Sequence, residues 1–315
     1  MQSQIAILCP LFNDSASFNQ LLLELKKSFR HIPDYHFRVL VVNDGSTEAL
    51  SIEKVAGFRV QVLPLYRNIG HQKALAIGLA YIKDNYNCDK VLIMDADGED
   101  RPEDALELLL ISEKKPGQVI FAYRQSRQEG SGFRFFYSLY KLSFRILTGK
   151  KISFGNFMVM PKAVLDKIVF YSEIWNHLAG GILKSGLPWS PVQTHRGKRY
   201  SGTSKMNFSR LLMHGLGAIA VFMEVVASRL MIFSFSLIGF SLLVILILTG
   251  IKIFTDRAIP GWTSTLMSSM LVVLLQSFLL SLVTLFLYFS SESQRKFVPA
   301  LHYKDFTGPV ETIGE

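Results

Sequence analysis

Short apolar segments recur along the first 125 residues and are separated by amphipathic stretches. The apolar segments predict strands at residues 5–9, 37–42, 59–63, 90–94 and 119–123. The stretches between them carry apolar residues at helical spacing, for example Phe18, Leu21, Leu22, Leu25 and Phe29. Strands that alternate with helices are typical of an α/β domain with a mostly parallel sheet. The pattern therefore predicts this fold class for the N-terminal part of the chain.

Two much longer apolar runs lie near the C-terminus. Residues 230–251 carry no charge, and a helix of this length spans about 33 Å, enough to cross the hydrocarbon core of a bilayer. A second such helix is predicted at about residues 266–289. The two would form a transmembrane hairpin, and the cations at its outer ends place those ends in the cytoplasm: Arg229, Arg295 and Lys296. A buried helical pair in a soluble protein is the alternative interpretation.

The region between these two parts contains two segments suited to a membrane surface. Residues 133–148 are aromatic and cationic without any acid, which is typical of a helix in the membrane interface. A core helix with basic edges is the alternative. Residues 205–229 predict an amphipathic juxtamembrane helix. We therefore expect a cytoplasmic α/β domain at 1–204, a hairpin at 230–289 and a cytoplasmic tail at 290–315.

Composition agrees with a membrane-bound protein and restricts its partners. Hydrophobic residues make up 49% of the 315 residues, and the mean hydropathy of +0.27 is high for a soluble protein. The net charge of +9 suits a membrane surface or an anionic substrate, which beside a bilayer are favoured over nucleic acid. Nucleic acid is therefore not an expected partner. The two cysteines, Cys9 and Cys88, lack metal-binding spacing and are predicted to be buried reduced thiols.

The fourth predicted strand runs directly into an acidic segment. Asp95, Asp97 and Glu99 follow its last apolar residue. Ligands bind at the carboxyl ends of strands in such sheets, and a divalent cation relieves the repulsion among close carboxylates. A cation with few protein ligands also retains open positions for a diphosphate. The alternative is an acidic turn that opens the helix beginning near Pro102.

Polar segments after two other strands supply further candidates. Asp44, at the end of the second strand, could accept a hydrogen bond from a ribose hydroxyl or a base N–H, or it could form a turn without a ligand. After the third strand, residues 67–73 open a helix whose N-terminus can bind an anion. Arg67 and Lys73 flank that N-terminus. Asn68 could reach the same ligand or face water.

A basic segment at residues 194–205 contains four cations besides His195, together with two glycines. This composition predicts a flexible cationic loop suited to phosphate groups, and a solvated linker is the alternative. No G-x-G-x-x-G sequence follows the first predicted strand. A dinucleotide-binding dehydrogenase is therefore not expected.

Five motifs, in this order, resemble those of the family 2 glycosyltransferases with a GT-A fold, specifically the polyprenyl-phosphate group. They lie at residues 9–13, 42–46, 67–70, 95–97 and 196–205. The likeness covers about residues 4–230, and a two-helix membrane hairpin also fits the bacterial members of the group. The resemblance implies a GT-A domain with a Rossmann-like, mostly parallel sheet, followed by interfacial helices and the hairpin.

The resemblance also implies a donor, an acceptor and a metal. The donor would be a UDP- or GDP-linked sugar, the acceptor would be a polyprenyl phosphate such as undecaprenyl phosphate, and the metal would be Mg²⁺ or Mn²⁺. It implies a multi-pass protein of the bacterial inner membrane with a cytoplasmic catalytic domain. It allows a homo-oligomer.

The same resemblance suggests roles for individual residues. The cation would be held by Asp95, Asp97 and Glu99. The nucleotide sugar would be bound by Pro10, Phe12, Asn13, Asp44, Asn68, Lys73, Asp95 and Arg124. The acceptor phosphate would face Arg196, Arg199 and Lys205, which together with Asp97 would form the catalytic group.

Three positions depart from the family pattern. Residues 155–158 replace an Asp-Phe-Arg-like motif with Gly-Asn-Phe-Met, Asn176 and His177 replace an Arg-Phe pair, and His71 replaces a lysine. A phosphate monoester has a second pKa of about 6, so at neutral pH it needs positioning more than a general base. The missing Asp therefore fits a lipid phosphate that attacks the anomeric carbon directly and inverts it.

Two rival functions stay open. One is a family 2 transferase that acts on a sugar hydroxyl of a lipid-linked or surface polysaccharide, with Glu173 as the general base. The other is a membrane protein that binds nucleotide sugars without catalysis, which the altered acceptor motif suggests. The intact acidic motif and basic segment argue against this second rival.

Overall fold

A computed structural model of the chain describes residues 3–30, 35–124, 131–150, 154–201, 208–255, 261–293 and 296–313. The chain divides into two compact units. The first comprises Met1–Lys141, Lys151–Val221 and Lys296–Glu315. The second comprises Leu142–Lys150 and Phe222–Arg295.

The described part of the first unit is built on one mixed sheet of eight strands. They are β1 (Ser3–Leu11), β2 (Tyr35–Asn43), β3 (Arg59–Pro64), β4 (Lys90–Ile93), β5 (Val119–Arg124), β6 (Phe154–Pro161), β7 (Trp189–Thr194) and β8 (Glu311–Ile313). Their order is β7-β5-β6-β4-β1-β2-β3-β8. Strands β4, β1, β2 and β3 are parallel, β7 is parallel to β5, and β6 is antiparallel to both of its neighbours. The predicted α/β class with a mostly parallel sheet is confirmed.

Helices cover both faces of the sheet. They are α1 (Ser15–Ser28), α2 (His71–Asn85) and α3 (Pro102–Lys114), with α5 (Lys162–Ile168), a 3-10 turn (Ser172–Trp175) and α6 (Leu178–Ser185) after β6. Alternate residues of β1 enter two separate cores, so that Leu8 packs on the side of α2 and Ile7 packs on the side of α1. This two-sided burial explains why the central strands are apolar at nearly every position. Both cysteines are free and buried, as predicted.

The segment after the two long apolar helices returns to the first unit. Residues 296–313 form a short helix α10 (Pro299–His302), a 3-10 turn (Tyr303–Phe306) and β8, which pairs antiparallel with β3. The ring of Trp175 packs against Phe297 and Phe306, with ring centroids 3.9 and 5.5 Å apart. The sequence shows no periodicity in this segment and did not predict its structure, because the segment is held by contacts with residues far away in the chain.

The second unit contains two helices that are long and apolar enough to cross a membrane. They are α8 (Met223–Phe254) and α9 (Trp262–Ser293), and they pack against each other. The predicted apolar runs at 230–251 and 266–289 lie within them. The buried polar residues of the pair carry small hydroxyl side chains: Ser234, Ser241, Ser277, Ser281 and Thr284. Many of the large apolar side chains are exposed, and Leu246 and Phe286 are each 71% exposed.

Two helices occupy the segments that were expected at a membrane surface. Helix α4 (Ser131–Thr148) covers the predicted segment and exposes Leu139, Leu142 and Ile146 along one face. The predicted helix at 205–229 is interrupted, because two residues separate the end of α7 (Phe208–Ala220) from the start of α8. The ring of Phe222 at this break packs edge-on against Phe144, with centroids 6.0 Å apart. The interfacial location of α4 and α7 stays a prediction.

We predict that the C-terminal segment is essential to the stability of the α/β unit. Tyr303 is 4% exposed, and its ring packs edge-on against Tyr81 at 6.2 Å between centroids. The Tyr303→Ala variant should lower the free energy of unfolding by about 3 kcal/mol, because it removes a buried aromatic ring. Denaturant unfolding in detergent, followed by tryptophan fluorescence, would measure this.

The matched control is Tyr303→Phe, which keeps the ring and removes only the hydroxyl. It should cost about 1 kcal/mol or less. Equal stability of the alanine variant and the wild type would show that this segment does not contribute to the core.

Candidate active site

The acidic turn, residues 95–100, begins where β4 ends, between β1 and β6 in the sheet. Asp100 is 2% exposed, and its carboxylate accepts the N–H of Asp95 at 2.8 Å. The Oδ1 atom of Asp97 accepts the N–H of Glu99 at 2.9 Å. Two of the four acids in the turn therefore hold its backbone in shape. Sequence reasoning missed the role of Asp100, because the hydrogen bond depends on how the turn closes.

The described part of the basic segment, residues 194–201, lies directly on the acidic turn. Its Arg196 forms an isolated antiparallel β-bridge with Asp100. Three hydrogen bonds fix its backbone: Gly197 N–H to Glu99 O within this bridge (2.9 Å), Tyr200 N–H to Asp97 O (3.0 Å) and His195 N–H to Asp104 Oδ2 (3.1 Å). The Tyr200 ring also covers Gly98, whose φ of +88° favours glycine. The described part of the predicted flexible loop is thus held in one conformation.

The side chains of the two segments form a cluster of ion pairs. Glu99 accepts from Arg196 through Nη2 at 2.8 Å and Nε at 3.1 Å, a two-pronged contact. Arg199 donates from Nε to Glu99 at 2.9 Å, and its Nη2 lies 2.6 Å from Oδ2 of Asp97. The side chains of Glu99 and Asp97 are only 14% and 17% exposed. The structure therefore joins residues predicted for the metal to residues predicted for the acceptor phosphate.

Asp95 lies beside two of the positions that depart from the family pattern. His71, the first residue of α2, places Nε2 3.3 Å from Oδ1 of Asp95. The side-chain nitrogen of Asn156, in β6, lies 3.2 Å from the same imidazole nitrogen. The two residues that depart from the family pattern, His71 and Asn156, therefore lie next to each other. The sequence could not show this, because 85 residues separate them.

Asp44 holds the start of α2. It is 4% exposed, and its two carboxylate oxygens accept the N–H groups of Ile69 at 2.8 Å and Gly70 at 3.0 Å. Burial raises the pKa of Asp44 above its ordinary value and outweighs the two hydrogen bonds that lower it. Gly45 follows with a φ of +65°, and any side chain there would meet the backbone of Arg67. The predicted anion-binding helix start is therefore built by the β2 turn, and contact of Asp44 with a nucleoside stays a prediction.

The loop after β1 is similarly tied to the loop after β2. Asn13 has a φ of +50°, and its Oδ1 accepts from the N–H groups of Thr47 at 2.9 Å and Glu48 at 3.2 Å. Pro10 is buried in β1, and Phe12 is 37% exposed just beyond the strand. These residues shape the edge of the sheet, and their binding of a nucleotide sugar stays a prediction.

Comparison with known proteins identifies the family. The model of Glycosyl transferase family 2 matches residues 6–169, which is more than half of the chain. This chain belongs to glycosyl transferase family 2. The resemblance that the five motifs suggested is confirmed, and the protein is a glycosyltransferase.

Relatives of this family 2 glycosyltransferase share most of its length. An uncharacterized glycosyltransferase, YkcC, of Bacillus subtilis is 27% identical and aligns over 85% of this chain and 83% of its own. A bactoprenol glucosyl transferase of Shigella phage SfV is 26% identical over 70% of this chain and 72% of its own. The crystal structure of glucosyl-3-phosphoglycerate synthase from Mycobacterium tuberculosis, in complex with Mn²⁺, UDP-glucose and phosphoglyceric acid, matches with a TM-score of 0.52. That match is 15% identical and covers 71% of this chain and 80% of that chain, which supports the GT-A fold.

Several residues predicted for the site of this glycosyltransferase are engaged elsewhere or fall outside the description. Glu173 forms an ion pair with Lys184 at 3.0 Å. Partial burial would raise the pKa of Glu173, but the hydrogen bond from Lys184 outweighs it and holds the pKa below its usual range. The ammonium of Lys73 lies over the ring of Trp175, 5.2 Å from its centroid. Asn68 is exposed, Lys205 lies outside the described residues, and Arg124 is described only as the last residue of β5.

The acids of the glycosyltransferase fit a divalent cation in part. Among the residues that the structure describes, no three His, Cys, Asp or Glu side chains converge as a metal site made by protein alone would require. Asp95 and Asp97 offer hard carboxylate oxygens, which suit Mg²⁺ or Mn²⁺ when substrate and water supply the other ligands. The expected third ligand, Glu99, faces Arg196 and Arg199 instead. A cation would therefore have to be held by Asp95 and Asp97 without Glu99, and this role of the two aspartates stays a prediction.

We predict a pH-dependent contribution of Glu99 to stability. Partial burial would raise its pKa, but hydrogen bonds from Arg196 and Arg199 outweigh burial and hold the pKa below the ordinary value of 4.5. The Glu99→Gln variant should be less stable than the wild type by about 2 kcal/mol near neutral pH, because charged hydrogen bonds are lost. The stabilising effect should disappear as the pH falls through the lowered pKa, where Glu99 takes up a proton.

Thermal unfolding in detergent from roughly pH 3 to pH 8 would measure this difference. The control is Glu107→Gln, which removes an exposed acid of α3 and should change stability little at any pH. A difference between the Glu99 variant and the wild type that grows towards acid pH would contradict the assignment.

Proposed function

We propose that this glycosyltransferase moves a sugar from a UDP- or GDP-linked donor to the phosphate of a membrane polyprenyl lipid of the undecaprenyl type. Such a reaction would serve the synthesis or modification of cell-envelope glycans. The observation that carries the proposal is the pairing of two arginines with the acidic turn at the carboxyl edge of the sheet. The same edge of the sheet thus carries carboxylates, which could hold a cation for a diphosphate, and guanidinium groups, which could bind a phosphate monoester.

The donor side rests on the acidic turn and the loops beside it. Asp95 and Asp97 would hold Mg²⁺ or Mn²⁺, and a bound cation would stabilise the nucleoside diphosphate leaving group. The helix start held by Asp44 would lie towards the nucleotide, because ligands of parallel sheets bind at the carboxyl ends of strands. The solved relative that contains Mn²⁺ and UDP-glucose supports this donor and cation.

The acceptor side favours a phosphate over a hydroxyl. A sugar hydroxyl needs a general base within hydrogen-bond reach, whereas a largely ionised phosphate monoester does not. Glu173 is paired with Lys184, and the lowered pKa makes it a weaker base. Asn156 carries no charge. Arg196 and Arg199 offer guanidinium groups, which bind phosphate in a two-pronged manner.

The proposed reaction is a single displacement. A non-bridging oxygen of the lipid phosphate attacks the anomeric carbon of the sugar and forms the new C–O bond. The bond from that carbon to the diphosphate oxygen breaks, and its electron pair leaves with the nucleoside diphosphate. One displacement from the opposite face inverts the configuration of the anomeric carbon.

The second unit and its flanks support a membrane arrangement. Helices α8 and α9 would cross the bacterial inner membrane, with the catalytic unit in the cytoplasm. The exposed face of α4, with Leu139, Leu142 and Ile146 near Lys141 and Arg145, would lie in the interface. The bactoprenol glucosyl transferase among the relatives supports a lipid acceptor of this class.

The proposal predicts label transfer into lipid. Purified full-length protein in detergent would be incubated with undecaprenyl phosphate, Mg²⁺ or Mn²⁺, and a panel of radiolabelled UDP- and GDP-sugars. Label from one donor should enter the organic phase, and Asp97→Ala should reduce the rate by about a hundredfold or more. The Glu107→Gln control, in an exposed acid of α3, should transfer label normally. Donor hydrolysis or binding without any lipid product would contradict the proposal.

A second variant tests the rival acceptor. Glu173→Gln should retain most of the transfer, with a loss below about tenfold, because no general base is needed for a phosphate acceptor. Turnover abolished with donor binding intact would instead favour a hydroxyl acceptor with Glu173 as its base. Initial rates and donor dissociation constants, measured on the same preparation, separate these results.

A further inference from the structure

Arg199 occupies a distinctive position among the cations of the basic segment, because it bridges two carboxylates. Its Nη2 lies 2.6 Å from Oδ2 of Asp97, and its Nε lies 2.9 Å from Oε1 of Glu99. The other oxygen of Asp97 accepts the N–H of Glu99 at 2.9 Å. Both oxygens of Asp97, the predicted cation ligand, therefore already have a donor.

A guanidinium and a divalent cation compete for such an oxygen. Both are positively charged, and two cations on one carboxylate oxygen repel each other strongly in a site with little water. Asp97 is only 17% exposed, so solvent screens this repulsion weakly. We therefore expect a cation that binds Oδ2 of Asp97 to displace the guanidinium of Arg199.

The displaced side chain would remain at the site. Its second partner, Glu99, is itself held by the two-pronged contact with Arg196. The backbone next to Arg199 is fixed by the hydrogen bond from Tyr200 N–H to Asp97 O. Release from Asp97 thus requires rotation of one side chain, while the segment stays in place. Arg199 would then keep one carboxylate and present its free N–H groups to an anion.

We infer that Arg199 is an internal counter-ion of Asp97, that a divalent cation displaces it, and that the displaced guanidinium becomes a ligand for a phosphate group. The inference rests on the proposed function, because it takes the metal from there. It makes cation binding and phosphate binding mutually reinforcing: each binds more tightly when the other is present. It also assigns Glu99 to the positioning of the two arginines, in place of metal coordination.

The inference is tested by Mn²⁺ binding, which needs no turnover. Electron paramagnetic resonance of free Mn²⁺ would give the Mn²⁺ dissociation constant of the full-length protein in detergent, without nucleotide and then with UDP. Without nucleotide, Arg199→Gln should bind Mn²⁺ about threefold to tenfold more tightly than the wild type, as expected when one partly buried ion pair is removed. The factor by which UDP tightens Mn²⁺ binding should be smaller in this variant.

The matched control is Lys198→Gln. Lys198 is exposed, precedes Arg199 in the same segment and forms none of the ion pairs of the cluster described above. The Lys198→Gln variant removes one positive charge, as Arg199→Gln does, but from an exposed position where solvent and salt screen it. It should therefore change the Mn²⁺ affinity by less than about twofold. A conservative variant, Arg199→Lys, keeps the charge but cannot bridge two carboxylates as a guanidinium does, and it should give an intermediate affinity. Thermal unfolding of all variants would show that they are folded.

The outcomes separate the inference from the function on which it rests. Wild type and Arg199→Gln that bind Mn²⁺ equally well would overturn the inference and leave the metal dependence intact. An equal gain of Mn²⁺ affinity in Lys198→Gln would also overturn the inference. The overall positive charge of the segment, and not the contact between Arg199 and Asp97, would then explain the gain. No Mn²⁺ binding by any of the proteins, with or without UDP, would overturn the inference together with the metal dependence.

Discussion

Two carboxylates and two guanidinium groups, from segments about 100 residues apart, neutralise each other at the carboxyl edge of the sheet. Asp97 and Glu99 would repel each other and lose hydration in this partly buried place, and the arginines offset both costs. The ion pairs also join the basic segment to β4, because each side chain reaches across from a backbone that is itself hydrogen-bonded to the turn. Removal of one partner would leave charges uncompensated, so the cluster acts as a unit.

The sheet brings the other parts of the site to the same edge. Strands β1, β2 and β4 are parallel neighbours, so the loops that follow them meet. Asp44 accepts hydrogen bonds from the backbone at the start of α2, and Asn13 accepts them from the loop after β2. These polar side chains satisfy backbone N–H groups and so fix the loops at this edge of the sheet. In the proposed function, the arginine cluster then faces the side from which a lipid phosphate approaches.

Periodicity and apolar runs predicted the elements that depend on local sequence. The five strands, the helices after β1, β3 and β4 and the two long apolar helices are present, because burial of one face or sheer apolar length specifies each of them. The alternating pattern was wrong between β2 and β3, where residues 44–58 contain no helix. The antiparallel β6 and the edge strand β8 were not predicted, since they depend on pairing between distant segments. The motifs located the acidic turn and the basic segment correctly along the chain, and the family they suggested is confirmed.

The chemistry of individual residues was harder to predict than their location. Glu99 was expected on a metal and Glu173 was considered as a base, yet each forms ion pairs with cations that lie far away in sequence or on another helix. The neighbouring set of His71, Asn156 and Asp95 is equally invisible in the chain. Such contacts are decided by side-chain reach across the folded surface, which no local pattern encodes.

The central claim is that the phosphate of a polyprenyl lipid is the nucleophile, and ³¹P nuclear magnetic resonance of the lipid during turnover tests it directly. The account predicts that the phosphate monoester signal is replaced by a phosphodiester signal, one for one with the nucleoside diphosphate released. Consumption of the nucleotide sugar with an unchanged monoester signal would contradict it.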